Sequence, residues 1–189
     1  MEKNGRLGRT ERNLMSLSQH TLVELKAKVE DLEPIRRKLE TLKAKHIGTF
    51  QQSDIYFDVP KGRLKLRQIN NEKIQLIYYE RDTVSKPKKS NVFITEIPES
   101  KVFTALLKKI LKVKATVKKT REIYRHQRTQ IHLDRVDSLG CYVEFERETP
   151  NTPAEIERNT KLLEKLMGTL GINLGNLEKL SYSDLVGLK

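Results

Sequence analysis

Charged and apolar residues alternate along several stretches of this chain, which is the pattern of a β-strand with one polar and one apolar face. Four stretches place a charge at every second position: Glu24/Lys26/Lys28, Arg63/Lys65/Arg67, Lys119/Arg121 and Glu144/Glu146/Glu148. The residues between these charges are apolar or nearly so, as Val23, Leu25 and Ala27 are in the first stretch. The alternation predicts a sheet whose two faces differ sharply in polarity.

The same patterns divide the chain into about eight strands and three main helices. We predict strands at 21–29 and 48–58, in the segments RLKLRQI, KIQLIYYER and NVFITEI, and at 114–124, 128–135 and 141–149. Asn70 and Asn71 are expected to close a tight hairpin between the third and fourth strands. This mixture is neither a regular βαβ alternation nor a plain sandwich, and it indicates an α+β fold.

Helix signals accompany the apolar periodicity. The first helix is predicted after Asp31, as its N-cap, with Pro34 in the first turn. The second extends from about 99 to 112 and carries apolar residues on one side and lysines on the other. The third opens with a capping box formed by Thr152 and Glu155 and ends at Gly171.

Packing of the helices constrains the direction of the charged face of the sheet. Their apolar faces must be buried against the apolar face of the strands, so the charged face turns away from them. That face is either open to water or curled into a closed barrel with a wet interior. Some strands carry only bases and another carries only acids, whereas a solvated face usually mixes signs. We therefore favour an eight-stranded antiparallel β-barrel, a tunnel with a polar, charged interior and helices packed outside. We expect a flexible basic tail at 1–20 and a single tunnel domain at 21–189.

Composition limits the classes of binding partner and the cellular compartment that we expect. The net charge is +12 over 189 residues, which predicts attraction to polyanions. The single cysteine, Cys141, permits no internal disulfide and fits a reducing compartment. No apolar run approaches the length of about 20 residues that spans a bilayer. We therefore expect a cytoplasmic protein that does not enter membranes, either a monomer or a homodimer.

Carboxylates on three predicted strands form an acidic set. Oxygen ligands of this kind suit Mg²⁺ or Mn²⁺, which bind through a few carboxylates together with substrate phosphates. We assign the metal-binding role to Glu24, Asp134, Glu144 and Glu146, and the candidate catalytic carboxylates are Glu24, Glu144 and Glu146.

Bases on neighbouring strands form a complementary set. The planar fork of arginine matches phosphate oxygens, and lysine adds a point charge, so the set suits a triphosphate. The alternative for any single member is a solvated strand charge, and the inference depends on the whole set. The candidate substrate-binding residues are Lys26, Lys28, Lys65, Arg67, Arg81, Lys119 and Arg121, with Lys88 and Lys89 of a basic loop as outer candidates.

The sequence lacks the motifs of zinc sites, of common nucleotide-binding folds and of serine nucleophiles. The four histidines are scattered and have no zinc-ligand spacing. His132 shares a strand face with Gln130 and Asp134, and we expect a structural hydrogen-bonding role for it. The sequence contains neither a P-loop nor a dinucleotide-binding glycine motif, and no serine lies in a nucleophile elbow. General nucleic-acid binding is not favoured, because no set of stacking aromatics is interleaved with the bases.

An ordered set of segments resembles the CYTH superfamily of triphosphate tunnel metalloenzymes. The segments are VELKAK (23–28), SDIYFD (53–58), GRLKLR (62–67), KTR (119–121), QIHLD (130–134) and EFE (144–146). The segments IYYER, IHLDRVDSLG and SYSDL are most similar to the branch of class IV adenylate cyclases. The resemblance covers about residues 21 to 187.

The resemblance implies an eight-stranded tunnel that binds Mg²⁺ or Mn²⁺ through carboxylates and a triphosphate through bases. By position, Glu24, Asp134, Glu144 and Glu146 take the metal role. One departure is that the first glutamate of the family signature Glu-x-Glu-x-Lys falls on Leu22. The missing carboxylate implies a weaker metal site, a changed metal preference, or a protein that binds without turnover. A lysine often found on the fourth strand is replaced by Glu80-Arg81.

Three functions follow from these expectations. The first is a class IV adenylate cyclase-like enzyme that converts ATP to cyclic AMP and pyrophosphate. The second is a triphosphatase acting on tripolyphosphate, thiamine triphosphate or a nucleoside triphosphate. The third is a non-catalytic module that binds polyphosphate or nucleotide, which the replacement at Leu22 motivates.

Overall fold

The computed structural model describes residues 20–81, 90–98 and 100–188, which contain eight strands and four α-helices. The strands are β1 (His20–Val29), β2 (Lys45–Phe57), β3 (Arg63–Ile69), β4 (Lys73–Arg81), β5 (Ser90–Glu96), β6 (Val113–His126), β7 (Thr129–Val136) and β8 (Gly140–Glu148). The helices are α1 (Glu33–Thr41), α2 (Ser100–Ile110), α3 (Pro153–Thr169) and α4 (Tyr182–Gly187).

The eight strands close into an antiparallel barrel in the order β1-β5-β4-β3-β2-β6-β7-β8. Closure is direct, because β1 pairs with β8 on one side and with β5 on the other. The long pair of β2 and β6 contains two register shifts, between His46 and Gly48 and between Tyr56 and Phe57. Such irregularities bend strands and help a sheet to curl. The predicted barrel is confirmed, and the open sheet is excluded.

The alternation of the strands places apolar side chains outside the barrel and charged ones inside. Helices α1 and α3 cover β1, β7 and β8, where Leu39, Leu163 and Met167 pack against Val143 and Phe145. Helix α2 covers the other side of the barrel. Its residues Phe103 and Leu107, with Leu111 just after the helix, pack against Phe57, Leu66 and Ile74. The helices therefore lie outside the barrel, as the amphipathic patterns predicted.

The C-terminal segment packs against the barrel. Ser181 caps α4, because its side chain accepts from the Asp184 amide while the Asp184 carboxylate accepts from the Ser181 amide. Tyr182 follows and is buried against Tyr56, Tyr142 and Val136. The C-terminal segment therefore packs against the barrel, and Ser181 and Tyr182 line the interior cavity.

Most of the predicted turns and helix ends are confirmed by the backbone conformation. Asn70 and Asn71 both have positive φ, as a tight hairpin turn requires. Gly171 ends α3 with φ of +76°, a conformation that favours glycine. The N-cap prediction for α1 was wrong: the helix begins after Leu32, although the Asp31 carboxylate accepts from the Glu33 amide at 3.2 Å. At α3 the Thr152 side chain accepts from the Glu155 amide, as predicted.

Some sequence predictions fall outside the described residues. These are the tail, apart from His20 at the start of β1, and the loop lysines Lys88 and Lys89. Within the part of the chain that the structure describes, no helix combines the length and apolar character needed to cross a bilayer.

Candidate functional site in the barrel interior

The barrel encloses a cavity of about 670 Å³, and residues from all eight strands contribute to its wall. The wall contains most of the charged residues that the sequence singled out, namely Glu24, Lys26, Lys65, Arg67, Lys119, Arg121, Glu144 and Glu146. These side chains come from β1, β3, β6 and β8, and the closed sheet brings them around one space. The cavity is therefore the candidate functional site.

The first charge group, here called the Asp54 cluster, consists of Asp54, Lys65 and Arg67 on β2 and β3. Asp54 lies opposite Arg67 in the strand register. Its two carboxylate oxygens accept from Arg67 Nε and Nη2 at 2.7 Å each, and one of them also accepts from Lys65 Nζ at 2.9 Å. Asp54 is 1% exposed and does not line the cavity, whereas Lys65 and Arg67 do. The buried carboxylate therefore orients the two bases that face the cavity.

The Asp54 cluster has a surplus of positive charge, and this surplus shifts its pKa values. Burial alone would raise the pKa of Asp54, but the charges of Arg67 and Lys65 hold that pKa well below its usual range. Burial and the neighbouring Arg67 lower the pKa of Lys65 to about 7, despite the opposing effect of Asp54. An anion placed beside Lys65 would favour its protonated form.

The second group, here called the Asp134 cluster, is built in the same way on β6, β7 and β8 and consists of Asp134, Lys119, Arg121, Glu144 and Glu146. Asp134 lies opposite Arg121 in register, and its oxygens accept from Arg121 Nε at 2.6 Å and Nη2 at 2.5 Å. Lys119 Nζ lies 3.4 Å from the same carboxylate. Arg121 also donates to Glu144.

Asp134, which the sequence suggested as a metal ligand, is bonded to bases and a tyrosine in this structure, and its metal role stays a prediction. Tyr182 donates its hydroxyl to Asp134 at 2.9 Å, in addition to the bonds from Arg121 and Lys119. Asp134 is fully buried and is not part of the cavity wall. Its carboxylate orients bases, as Asp54 does in the first cluster.

Charge also shapes the pKa values of the Asp134 cluster. Burial alone would raise the pKa of Glu144, but Arg121, Lys119 and Lys26 hold it well below its usual range. Burial likewise opposes the ionisation of Asp134, and Arg121 and Lys119 lower its pKa nevertheless. Both carboxylates are therefore ionised at neutral pH.

A group of possible metal ligands faces the cavity. One side-chain atom each from His132, Glu144 and Glu146 lies within 4.8 Å of the other two. Glu24 lies opposite Glu146 in the register of β1 and β8, and it also lines the cavity. Residues in this relation have Cβ atoms about 5 Å apart. The two glutamates and the imidazole are donors that divalent cations accept, so the residues fit the metal that the sequence predicted.

Lys26 and Tyr182 form the floor of the site. Lys26 is 3% exposed and donates to the Leu180 carbonyl. Its Nζ lies 4.4 Å from the centroid of the Tyr182 ring, and Lys119 Nζ lies 4.9 Å from the same centroid. Aromatic faces attract cations at such distances, so the tyrosine helps to hold both lysines.

One predicted base is placed outside the cavity, and the side chain of another is not described. Lys28 is exposed, does not line the cavity, and contributes instead to a separate surface depression beside Cys141 and Leu177. Arg81 is the last residue of β4, and its side chain lies outside the described part of the structure.

The wall of the cavity is asymmetric in polarity. Strands β6, β7 and β8 contribute most of its charge, whereas β4 and β5 contribute Ile77, Tyr79, Val92 and Ile94. Ile94 is 54% exposed although it lies on a barrel strand. Leu22, at the position of the missing family glutamate, also lines the cavity. The cavity thus has a charged side and an apolar side.

Sequence reasoning missed three residues of this site. Asp54 appeared only as part of a motif, yet it shares its strand face with Gln52 and Tyr56, which is the signal that could have placed it inside. Gln52 also lines the cavity, and its buried Oε1 has no hydrogen-bond partner among the described residues. Tyr182 gave no periodic signal, because it lies in a short C-terminal helix.

Comparison with known proteins agrees with this geometry. The model of the CYTH domain family matches residues 20–182. A candidate adenylate cyclase of Methanocaldococcus jannaschii is 28% identical over 176 residues, which cover 88% of this chain and 98% of that protein.

Solved structures show the same fold. A protein of Pyrococcus horikoshii OT3 is 30% identical, with a TM-score of 0.77 over 87% of this chain and 99% of that one. A candidate adenylyl cyclase of Hippeastrum, described as revealing a dominant triphosphatase activity, is 18% identical, with a TM-score of 0.60 over 89% of this chain and 95% of that one.

Proposed function

The chain belongs to the CYTH domain family, whose members bind triphosphates and are in general metal-dependent, and on that premise we propose that it is a divalent-metal-dependent enzyme that acts on a triphosphate-bearing substrate inside the barrel. Mg²⁺ and Mn²⁺ are the proposed ions. We further propose a cytoplasmic location, in keeping with the free buried thiol of Cys141.

One observation carries the proposal: two charge clusters of different balance face the same cavity. The Asp54 cluster has two bases for one acid, which suits an anion. The Asp134 cluster has three carboxylates for two bases and an imidazole beside them, which suits a cation. A triphosphate chain with its metal ion carries both kinds of charge. Its binding would offset the imbalance of each cluster.

The residues then divide the work. Glu144 and Glu146 would hold the ion, with Glu24 across from them on β1. When bound, the ion supplies Lewis-acid polarisation of a phosphoryl oxygen. Lys65, Arg67, Lys119 and Arg121 would fix the phosphates and offset charge on the leaving group. Because Asp54 and Asp134 already orient these bases, little reorganisation is needed on binding.

The first candidate reaction is cyclisation of ATP to cyclic AMP and pyrophosphate. In it the ribose 3′-hydroxyl attacks the α-phosphate, and pyrophosphate leaves. The naming of the Methanocaldococcus jannaschii relative supports this choice. The apolar side of the cavity, with Ile77, Val92 and Ile94, also offers contact to an organic group, which inorganic tripolyphosphate does not have.

The second candidate is hydrolysis, in which water attacks the γ-phosphate. The same charged residues would serve both reactions, because both place negative charge on a leaving phosphate. The Hippeastrum protein with this fold is described as having a dominant triphosphatase activity, which makes hydrolysis the direct competitor. Thiamine triphosphate, tripolyphosphate and nucleoside triphosphates are its possible substrates.

Product identification separates these candidates. The protein is incubated with ATP, tripolyphosphate or thiamine triphosphate, first with Mg²⁺ and then with Mn²⁺, and the products are resolved by chromatography. Cyclic AMP with pyrophosphate supports the cyclase, whereas orthophosphate supports the hydrolase. Glu144→Gln serves as the inactive control for contaminating phosphatases.

A binding module without turnover is the outcome that overturns the enzyme. It would show tight, metal-dependent binding of a triphosphate by calorimetry and no product from any substrate. Leu22 in place of the first family glutamate is the feature that motivates this outcome.

A further inference from the structure

We propose that Nδ1 of His132 is a ligand of the metal ion and that this nitrogen makes the site select Mn²⁺ over Mg²⁺. The inference rests on the metal-dependent function proposed above. It concerns the donor set of the ion and does not depend on which reaction the protein performs.

The position of His132 is the first argument. It lies on β7 and is 3% exposed. Its Nδ1 lies 3.6 Å from Glu146 Oε1 and 3.8 Å from Glu144 Oε2. In the described part of the chain this buried nitrogen has no hydrogen-bond partner. A buried polar atom without a partner is costly, and a shared ion would satisfy it together with the two carboxylates.

The other ring nitrogen supports the same assignment. His132 Nε2 lies 3.4 Å from Gln130 Oε1. Where Nε2 donates to this amide oxygen, it carries the proton, and in the neutral imidazole Nδ1 then carries the lone pair. Metal-binding histidines commonly donate the second ring nitrogen to such an outer partner. A lone pair on Nδ1 that faces two carboxylate oxygens is repulsive, and either a proton on Nδ1 or a shared metal ion removes that repulsion.

The donor set determines which ion is preferred. Mg²⁺ is a hard cation that favours oxygen ligands and gives up water reluctantly. Imidazole suits transition metals better, and carboxylates suit both Mn²⁺ and Mg²⁺. A site with one nitrogen and two carboxylates therefore favours Mn²⁺ when both ions compete.

Pulsed electron paramagnetic resonance of Mn²⁺ bound to the full-length protein tests this directly. The wild-type complex is expected to show modulation from a coordinated imidazole ¹⁴N, with the frequency change expected of ¹⁵N when the histidines carry that isotope. His132→Asn places an amide oxygen where Nδ1 lies, so Mn²⁺ binding persists and the nitrogen signal disappears. His46→Gln is the matched control, because that exposed imidazole packs against Tyr124 and does not line the cavity.

Competition between the two ions gives the second measurement. Loss of even an outer partner of a metal ligand typically lowers metal affinity by about tenfold or more. The preference for Mn²⁺ over Mg²⁺ should therefore fall by at least about tenfold in His132→Asn and stay unchanged in His46→Gln.

The possible failures are distinguishable. Bound Mn²⁺ without a nitrogen signal in the wild type, or an unchanged ion preference in His132→Asn, overturns this inference and leaves the proposed function standing if triphosphate turnover persists. Absence of both Mn²⁺ binding and turnover overturns the proposed function itself. A wild-type spectrum without a histidine nitrogen signal overturns the inference on its own, so the proposal stays falsifiable even if His132→Asn fails to fold.

Discussion

The Asp54 and Asp134 clusters share one arrangement, an aspartate that binds an arginine and a lysine, but they differ in net charge. In each, a buried aspartate holds an arginine by two hydrogen bonds and a lysine by a third contact. In each, the aspartate lies opposite its arginine on a neighbouring antiparallel strand. The Asp54 cluster ends there. The Asp134 cluster continues onto β8, where Glu144 binds Arg121 and Glu146 lies near His132.

This difference shows how a barrel can prepare opposite ends of one ligand. The backbone register fixes the bases in both clusters, so their positions do not depend on substrate. The additional carboxylates then decide whether the surplus charge is positive or negative. A metal-bound triphosphate is the ligand that matches both surpluses at once.

The largest expected effect comes from removing the aspartates. Asp54→Asn leaves Lys65 and Arg67 buried without a counter-ion, so the free energy of unfolding should fall by about 3 kcal/mol. Asp134→Asn should cost about half as much, because Arg121 keeps its bond to Glu144. Urea unfolding followed by circular dichroism measures both.

Glu157→Gln is the matched control for these variants. Its partner Lys161 is exposed on α3, and such pairs contribute about 1 kcal/mol or less. If Asp54→Asn unfolds within about 0.5 kcal/mol of the wild type, the interior pairing described here does not hold.

The next largest effect is expected on the rate of turnover. Glu144→Gln or Glu146→Gln removes a proposed metal ligand, and kcat should fall by about 100-fold or more while the fold persists.

Substitution in the Asp54 cluster should act mainly on substrate binding. Arg67→Lys keeps a charge but loses the planar fork of arginine, so it should weaken triphosphate binding more than it lowers kcat. Steady-state kinetics and circular dichroism provide the measurements.

The control for the carboxylates is Glu157→Gln on the exposed side of α3, where Lys161 Nζ binds Glu157 Oε1 at 2.7 Å. It should leave kcat unchanged. Wild-type rates in both glutamate variants of β8 would remove the metal assignment from the Asp134 cluster.

The smallest effect is a pH dependence to which Lys65 of the Asp54 cluster contributes. The pKa of Lys65 is about 7, against an ordinary value of 10.5, because burial and Arg67 disfavour its charge. A triphosphate favours the charged form, so above pH 7 binding should take up a proton, and affinity should fall as pH rises from 7 to 9, by at most about tenfold per pH unit. Calorimetry in buffers of different ionisation enthalpy measures the uptake.

Lys65→Arg provides the comparison, since arginine keeps its proton throughout this range. Subtracting its proton count removes the contribution of the ligand's own phosphates. Equal proton uptake in the variant and in the wild type would show that Lys65 does not titrate on binding.

Much of the fold was predictable because alternation is a local property. The spacing of Lys65 and Arg67 or of Glu144 and Glu146 fixes which side chains share a face. Asn70-Asn71 and Gly171 mark turns by their tolerance of positive φ. The need to bury the helices then sends the charged face inward. Each step requires only neighbouring residues and burial.

The detailed site was less predictable, because alternation gives the face but not the register or the depth. Asp134 shares a face with His132, yet only the pairing of β6 with β7 places Asp134 against Arg121. Lys28 continues the pattern of Lys26 but is exposed and outside the cavity wall. The proximity of His132 to Glu146 depends on the pairing of two strands. These contacts depend on strand pairing in the folded barrel, which the alternation of residues does not specify.

A crystal structure of the protein with Mn²⁺ and tripolyphosphate tests the central claim most directly. We expect an anomalous manganese peak beside Glu144 and Glu146, and phosphate oxygens within hydrogen-bond distance of Lys65 and Arg67, in one cavity. Manganese and phosphate bound outside the barrel, with the two clusters still closed on their aspartates, would contradict the account.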